Sequence, residues 1–161
     1  LLNWAVENEV GGFDFLTGIH ATRGGAAAVN AGAFAQSISH VLEKADVYFP
    51  RTGELKTVKK EYFQFKYRQS VFRFNSEVLL NIYLSYSPST KEEIKAQMMS
   101  NMRYRKKNHP PQNLSTCGCF FKNPVINNKQ VSAGKLIEES GLKGFIYCFF
   151  FKQKTAYEIG Q

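Results

Sequence analysis

The chain has 161 residues, and its sequence predicts an α+β fold. Hydrophobic residues at 43% and charged residues at 21% are typical of a globular protein. Strand-like and helix-like stretches are both present, and they do not alternate strictly as they would in a parallel α/β protein. A chain of this length can bury a substantial core.

Predicted strands dominate the first part of the chain. Residues 1–10 resemble the end of an amphipathic helix that stops at Gly11 and Gly12. Residues 41–48 and 55–58 predict two strands joined by a turn at 50–53. Residues 77–86 form the most strand-like stretch of the sequence.

Predicted helices follow. A long helix begins with one of two capping boxes, Ser89 with Glu92 or Thr90 with Glu93. An apolar stripe at period four continues it, formed by Ile94, Met98 and Met102. The helix is expected to end before Pro110-Pro111, a natural domain boundary. A shorter helix is predicted over 134–140, with Gly141 as its stop.

The net charge of +8 indicates an anionic partner or simply a solvated basic surface. Nucleic acid, dinucleotides and nucleotide sugars all carry the complementary charge. A nucleic-acid-binding sheet needs basic and aromatic side chains on one face. The strand at 77–86 has Tyr83 and Tyr86 but no lysine or arginine, which disfavours nucleic acid as the partner.

The cysteines and the longest apolar run limit the compartment and the class of site. Cys117, Cys119 and Cys148 make an odd number, which favours a reducing compartment such as the cytoplasm. The longest apolar run, 145–151, is too short to span a bilayer. Structural zinc needs four ligands, and Cys117-Gly118-Cys119 lacks a second pair at the usual spacing, so no metal site is predicted.

A glycine- and alanine-rich stretch at 15–33 is the first candidate ligand site. Glycines let backbone approach a ligand closely, and N–H groups at a helix start bind anions. The stretch could therefore seat a flavin and its pyrophosphate, or simply pack a helix against a sheet. Its glycine spacing is not that of a G-x-G-x-x-G dinucleotide fingerprint.

Two further motifs offer reactive side chains. The pair Tyr67-Arg68 could clamp a carboxylate or could be a surface pair. Cys119 lies between aromatic residues and a second cysteine, and its thiol could donate a proton, act as a nucleophile or fill a core.

Taken in order, these motifs resemble those of the UDP-N-acetylmuramate dehydrogenases, also called UDP-N-acetylenolpyruvoylglucosamine reductases. The matching stretches are 18–25, 30–33, 53–54, 67–70, 118–124 and 133–144. The short stretch between Arg68 and Cys119 resembles the subtype without an extra substrate-capping loop. His20, Ala21 and Arg23 depart from the family's usual flavin loop.

The resemblance implies a domain division. Residues 1–88 are expected to be the C-terminal part of an FAD-binding domain of the PCMH type. Residues 89–147 are expected to form a linker helix and the start of an α+β substrate domain. The first flavin loop is expected before Leu1, and the catalytic glutamate after Gly144.

The final residues, 148–161, do not follow the family pattern. The codons that can encode 152–159 look like a short-read sequencing adaptor, so this tail is expected to be an artefact. A divergent C-terminal strand is the alternative.

The resemblance also implies chemistry. Such an enzyme uses NADPH and FAD to reduce the enolpyruvyl ether of a UDP-sugar during peptidoglycan precursor synthesis. Its expected partners are the nucleotide sugar and NADPH, without nucleic acid or membrane, in a cytoplasmic monomer. Another flavin oxidoreductase with the same FAD-domain fold is the alternative, and the motif Phe121-Lys122-Asn123-Pro124 argues against it.

Site residues are carried over by position. Arg68 is expected to stabilise charge on the substrate carboxylate, and Cys119 stands where the family has its proton-donating serine. The expected cofactor-binding residues are Gly18, Ile19, Thr22, Gly24, Gly25 and Asn30. The expected substrate-binding residues are Tyr67, Lys107, Lys122 and Asn123.

Overall fold

The structure is a computed structural model that describes residues 1–109 and 120–143. The chain divides into two compact units, Leu1–Pro111 and Gln112–Gln161. Its mixture of helices and strands confirms the predicted combination of the two. The predicted tail at 148–161 and the Pro110-Pro111 boundary lie outside the described residues.

The first unit contains most of the described helices and strands. In chain order they are α1 (Leu2–Glu7), β1 (Val10–Gly11), α2 (Arg23–Ala28), β2 (Gly32–Ala33), β3 (Gln36–Ser37), α3 (Ile38–Val41), β4 (Leu42–Phe49), β5 (Glu54–Lys59), β6 (Val78–Leu84), β7 (Ser87–Pro88) and α4 (Lys91–Asn108). Short 3₁₀ turns lie at Asp14–Leu16, Lys60–Phe63 and Val71–Arg73. The strands predicted at 41–48, 55–58 and 77–86 are therefore found as β4, β5 and β6.

The main sheet is antiparallel, with strand order β5-β4-β6. Ala45 at its centre pairs with Val58 on one side and Ile82 on the other. Apolar residues of β4 face a core that includes α2, α3 and the aromatic residues Phe15 and Phe63. The predicted turn after β4 closes through a bond from Gly53 N to Phe49 O of 2.9 Å.

Helix α4 begins with the second of the two predicted capping boxes, Thr90 with Glu93. Its apolar stripe is confirmed only in part: Ile94 is buried, but Met102 is 38% exposed. The buried face continues instead through Asn101, whose Nδ2 donates to Asp14 O at 2.9 Å. No helix among the described residues is long and apolar enough to cross a membrane.

The second unit contains β8 (Val125–Ile126), β9 (Lys129–Gln130) and α5 (Ala133–Glu139). The two strands form a hairpin whose turn residues, Asn127 and Asn128, both have positive φ. Such a two-residue turn follows the right-handed twist of the strands. Ser132 caps α5, and Gly141 follows it at φ +70.

The proposed division of the chain at residue 88 stays a prediction. By its contacts α4 belongs to the first unit, where it packs against α1 and the turn at Asp14–Leu16.

Candidate functional site

The glycine-rich loop at 18–25 leads into α2 beside a cavity of about 540 Å³. Thr22 caps the helix, its Oγ1 accepting from Gly25 N at 3.1 Å. A Cβ on Gly24 would meet nothing within 4 Å, so the backbone there faces open space. The cavity lining includes Leu16, Ile19, Ala21, Thr22, Ala26, Ile82 and Leu84. The volume lies in the range of small-molecule sites, and the lining is mostly apolar.

Gly18 has a structural reason to lack a side chain. Its φ is +74, and a Cβ there would lie 2.8 Å from Cδ of Arg105 on α4. The guanidinium of Arg105 in turn lies 5.6 Å from the ring centroid of Phe34. Its Nε is buried and has no hydrogen-bond partner within residues 1–109 and 120–143. The sequence carries no signal for this packing because Gly18 and Arg105 are far apart along the chain.

Tyr67 and Arg68 form the tip of a tight turn. Its flanking residues exchange backbone hydrogen bonds, from Lys66 N to Gln69 O at 3.0 Å and from Gln69 N to Lys66 O at 3.2 Å. Arg68 has φ +54, in the left-handed region that favours glycine. A side chain there costs roughly 1–2 kcal/mol. The turn therefore keeps this conformation only because other contacts hold it.

The guanidinium of Arg68 is held by backbone carbonyls from another segment. Nη1 donates to Asn30 O at 3.3 Å, and Nη2 donates to Gly32 O. The ring of Tyr67 lies 5.1 Å from the guanidinium carbon. A guanidinium has five N–H donors, so the remaining ones can bind a carboxylate. The structure thus joins two separate sequence motifs, 30–33 and 67–70.

Asn30 and Ser70 add hydrogen bonds that hold segment 66–70 against segment 28–39. The Asn30 side chain is buried, with Nδ2 donating to Lys66 O at 3.0 Å and Oδ1 accepting from Ser39 N at 3.1 Å. Ser70 is 1% exposed, and its Oγ donates to Ala28 O at 2.6 Å. Every one of these partners is a backbone group, so the contacts do not depend on which side chains stand there.

A second set of contacts joins the two ends of the segment 62–77, which contains Arg68. Tyr62 Oη donates to Oε1 of Glu77 at 2.6 Å, and Asn75 Nδ2 donates to Oε2 at 2.7 Å. Burial, and then the bond to Glu77, raise the pKa of Tyr62 to about 12, so the phenol remains a donor at neutral pH. Tyr62 also packs edge-on against Phe49 and Phe72.

The cavity and Arg68 lie near opposite ends of α2. Thr22 and Arg23 at the start of the helix line the cavity, whereas Arg68 contacts Asn30 and Gly32 after its end. Six helical residues span about 9 Å. Of the predicted cofactor residues, Ile19 and Thr22 line the cavity directly.

The remaining predicted site residues lie on α4, in the second unit or outside the described residues. Lys107 lies on an exposed position in the last turn of α4. Within the second unit, Lys122 is exposed, and Asn123 Oδ1 accepts from Ala133 N at 3.0 Å. Cys119 lies outside the described residues. In the part of the chain that is described, no three His, Cys, Asp or Glu side chains form a group that could hold a metal ion.

Comparison with protein families finds a match in the C-terminal region. Residues 109–148 match the family described as UDP-N-acetylenolpyruvoylglucosamine reductase, C-terminal domain. The match includes Cys119, Lys122 and Asn123.

Individual relatives match much more of the chain. It is 41% identical over 140 residues to UDP-N-acetylenolpyruvoylglucosamine reductase 2 of Bacillus cereus (strain ATCC 10987 / NRS 248), covering 87% of this chain and 44% of that protein. It is 39% identical over 134 residues to the reductase of Halalkalibacterium halodurans, covering 83% of this chain and 42% of that protein.

A solved structure of another such reductase also matches most of this chain. The crystal structure of UDP-N-acetylenolpyruvylglucosamine reductase from Thermus caldophilus superposes with a TM-score of 0.74 at 33% identity, covering 89% of this chain and 50% of that one. The resemblance predicted from the ordered motifs is confirmed, and the chain is a relative of these reductases that spans about half of their length.

Proposed function

We propose that the chain is part of a longer reductase that uses NADPH and FAD to convert UDP-N-acetylglucosamine enolpyruvate to UDP-N-acetylmuramate for peptidoglycan synthesis. The observation that carries the proposal is the junction of two family motifs, in which Arg68 donates to the backbone of Asn30 and Gly32. The identity to the reductase of Bacillus cereus supports the same activity.

The glycine-rich loop fits part of a flavin. Gly24 leaves open space where a side chain would stand, and Ile19 and Thr22 face the neighbouring cavity. Gly18, Ile19, Thr22, Gly24 and Gly25 would hold FAD there, with NADPH as the reductant. When bound, the flavin supplies the hydride. Residues of this chain then bind, orient and protonate the substrate.

Arg68 would act on the substrate carboxylate. Two of its N–H groups are taken by carbonyl oxygens, which fix the plane of the guanidinium and leave other donors to bind the carboxylate. A cation held in advance against developing negative charge stabilises a transition state by about 3–4 kcal/mol in a dry site. Tyr67 would support the substrate beside it.

Protonation of the substrate carbon would fall to Cys119, at the position of the family's serine. A free thiol has a pKa of about 8.5, so it is still protonated at neutral pH. Lys107, Lys122 and Asn123 would bind the nucleotide-sugar phosphates or uridine. The protein would act in the cytoplasm as a monomer.

The test uses the full-length protein that contains this chain, meaning the sequence extended to the length of its relatives. We expect it to be yellow as purified, to release flavin on denaturation, and to oxidise NADPH when given the enolpyruvyl substrate. UDP-N-acetylglucosamine without the enolpyruvyl group is the matched control and should give no oxidation. A colourless protein that releases no flavin would contradict the proposal.

A further inference from the structure

We propose that Asn30 is a positioning residue that sets the orientation of Arg68. The inference rests on the proposed function, since it assigns Asn30 a task in the same reaction. The family resemblance predicts instead that Asn30 binds the cofactor, and the two roles have different measurable consequences.

The side-chain amide of Asn30 already has hydrogen-bond partners within the protein. Asn30 is 6% exposed, its Nδ2 donates to Lys66 O at 3.0 Å, and its Oδ1 accepts from Ser39 N at 3.1 Å. Both polar atoms of the amide are therefore engaged by backbone groups of the protein. A ligand would have to share or displace one of these buried bonds, which costs about 1–3 kcal/mol for a group left unsatisfied.

The hydrogen bonds of Asn30 hold the Tyr67-Arg68 turn and the Arg68 guanidinium. Lys66 O belongs to the residue that opens the Tyr67-Arg68 turn, and the backbone carbonyl of Asn30 accepts from Arg68 Nη1. One residue thus contacts both the start of the turn and the end of the arginine side chain. The turn is strained at Arg68, with φ +54, so its geometry depends on such outside contacts.

The backbone conformation of Asn30 decides which substitutions can test this role. Its φ is +48, in the left-handed region that asparagine and glycine tolerate best. Asn30→Gly therefore removes the amide while the backbone can still place its carbonyl on Arg68. Asn30→Asp keeps an acceptor for Ser39 N and loses the donor to Lys66 O.

The experiment measures kcat, KM and flavin content in the full-length protein, for Asn30→Gly alone and combined with Arg68→Lys. Misplacing a catalytic group costs up to about 100-fold in rate, so we expect Asn30→Gly to lower kcat by roughly 10- to 100-fold. Flavin content should remain unchanged. Because the effect passes through Arg68, Asn30→Gly should lower kcat little further when Arg68→Lys is already present.

A matched control separates positioning from stability. Asn101 is also buried, and its Nδ2 also donates to a backbone carbonyl, Asp14 O, at 2.9 Å. Asn101→Ala should lower the melting temperature while kcat stays within about twofold of the original value, because its bond to Asp14 O involves no residue of the Arg68 turn. If Asn30→Gly does not fold, Asn30→Asp enters the same comparison with Arg68→Lys.

Several results would overturn the inference, and they are distinguishable from failure of the proposed function. Loss of flavin in Asn30→Gly would make Asn30 a cofactor ligand. An unchanged kcat, or an equal loss of kcat with and without Arg68→Lys, would remove any action through Arg68 while leaving the reductase activity intact. If Arg68→Lys alone leaves kcat unchanged, the proposed role of Arg68 fails, and the role of Asn30 fails with it.

Discussion

Two clusters of hydrogen bonds in the first unit differ in how far along the chain they reach. The Arg68 turn is held by Asn30, Gly32 and Ala28, whose bonds to it span 36 to 42 residues. The capping box of α4 joins Thr90 to Glu93 over three residues. The first cluster forms only after distant segments have packed, whereas the second forms wherever the helix begins.

The two clusters also differ in conformational cost. Arg68 and Asn30 both adopt positive φ, and their side chains donate to backbone carbonyls of distant segments. Thr90 lies in the extended region at φ −78 and ψ 157, which is ordinary for a residue that caps a helix. Strain that is kept in place by outside contacts is typical of functional sites. A local cap stabilises one helix and carries no such strain.

The largest expected effect is the loss of catalysis when the Arg68 turn loses its guanidinium. Arg68→Ala in the full-length protein should lower kcat by about 100-fold or more, because a preorganised cation acts mainly in the transition state. Flavin content should be unchanged, since the cavity beside 18–25 does not include Arg68. Steady-state kinetics with the enolpyruvyl substrate measure the first quantity, and absorbance of released flavin measures the second.

Arg51 provides the control for loss of a positive charge. It lies exposed in the turn between β4 and β5, so Arg51→Ala should leave kcat near its original value. Equal losses of kcat in the two variants would show that net charge, and not the geometry of the Arg68 turn, matters.

The next effect is on folding at the same cluster. Ser70→Ala removes the buried bond from Oγ to Ala28 O and should lower the free energy of unfolding by about 1–3 kcal/mol. Ser140 makes a similar bond to Leu136 O at 2.8 Å, but it is exposed and local. Surface substitutions change stability by at most about 0.5 kcal/mol, and we expect this for Ser140→Ala. Urea unfolding measures both, and equal losses would contradict the expected difference between a buried long-range bond and an exposed local one.

The sequence predicts the local features of this chain well and the distant ones poorly. The capping box, the turn at Gly53 and the stop at Gly141 each depend on a few neighbouring residues. The contact of Arg105 with Gly18, and that of Asn30 with Lys66, depend on packing between segments, and no spacing in the sequence predicts them. The apolar stripe on α4 was wrong at Met102 because the buried face turns towards Asn101.

The candidate site shows the same division. The ordered motifs predict which segments belong to it, because a family resemblance assigns sequence positions to the site. It does not give the hydrogen bonds or distances between those positions. The structure adds that Asn30 holds the Arg68 turn through a hydrogen bond to Lys66 O, 36 residues away along the chain. That task comes from the folded arrangement, so neither residue type nor spacing could have assigned it.

A smaller effect is expected at the local cluster. Thr90→Ala removes the hydroxyl that accepts from Glu93 N and should lower the free energy of unfolding by about 1 kcal/mol. Thr90→Ser keeps a capping hydroxyl and should retain most of that stability. Because the hydrogen bonds of the cap stay within residues 89–93, kcat should change in neither variant. A fall in kcat for Thr90→Ala at a temperature where the protein remains folded would show that the two clusters are coupled.

The smallest effect is the pH dependence of the same cap. The backbone N–H of Thr90, and then the hydroxyl of Ser89, lower the pKa of Glu93 in the folded protein. A carboxylate with a lowered pKa stabilises the fold fully above its usual value of about 4.3, and that stability is lost as the pH falls through the lowered value. The melting temperature of the original protein should therefore exceed that of Glu93→Gln at pH 7, and the difference should shrink below about pH 4. Glu92→Gln, in the same first turn but outside the capping box, is the control for charge near the helix start. If both glutamine variants lose the same amount over the same pH range, the effect comes from the helix dipole, and the capping box contributes nothing of its own.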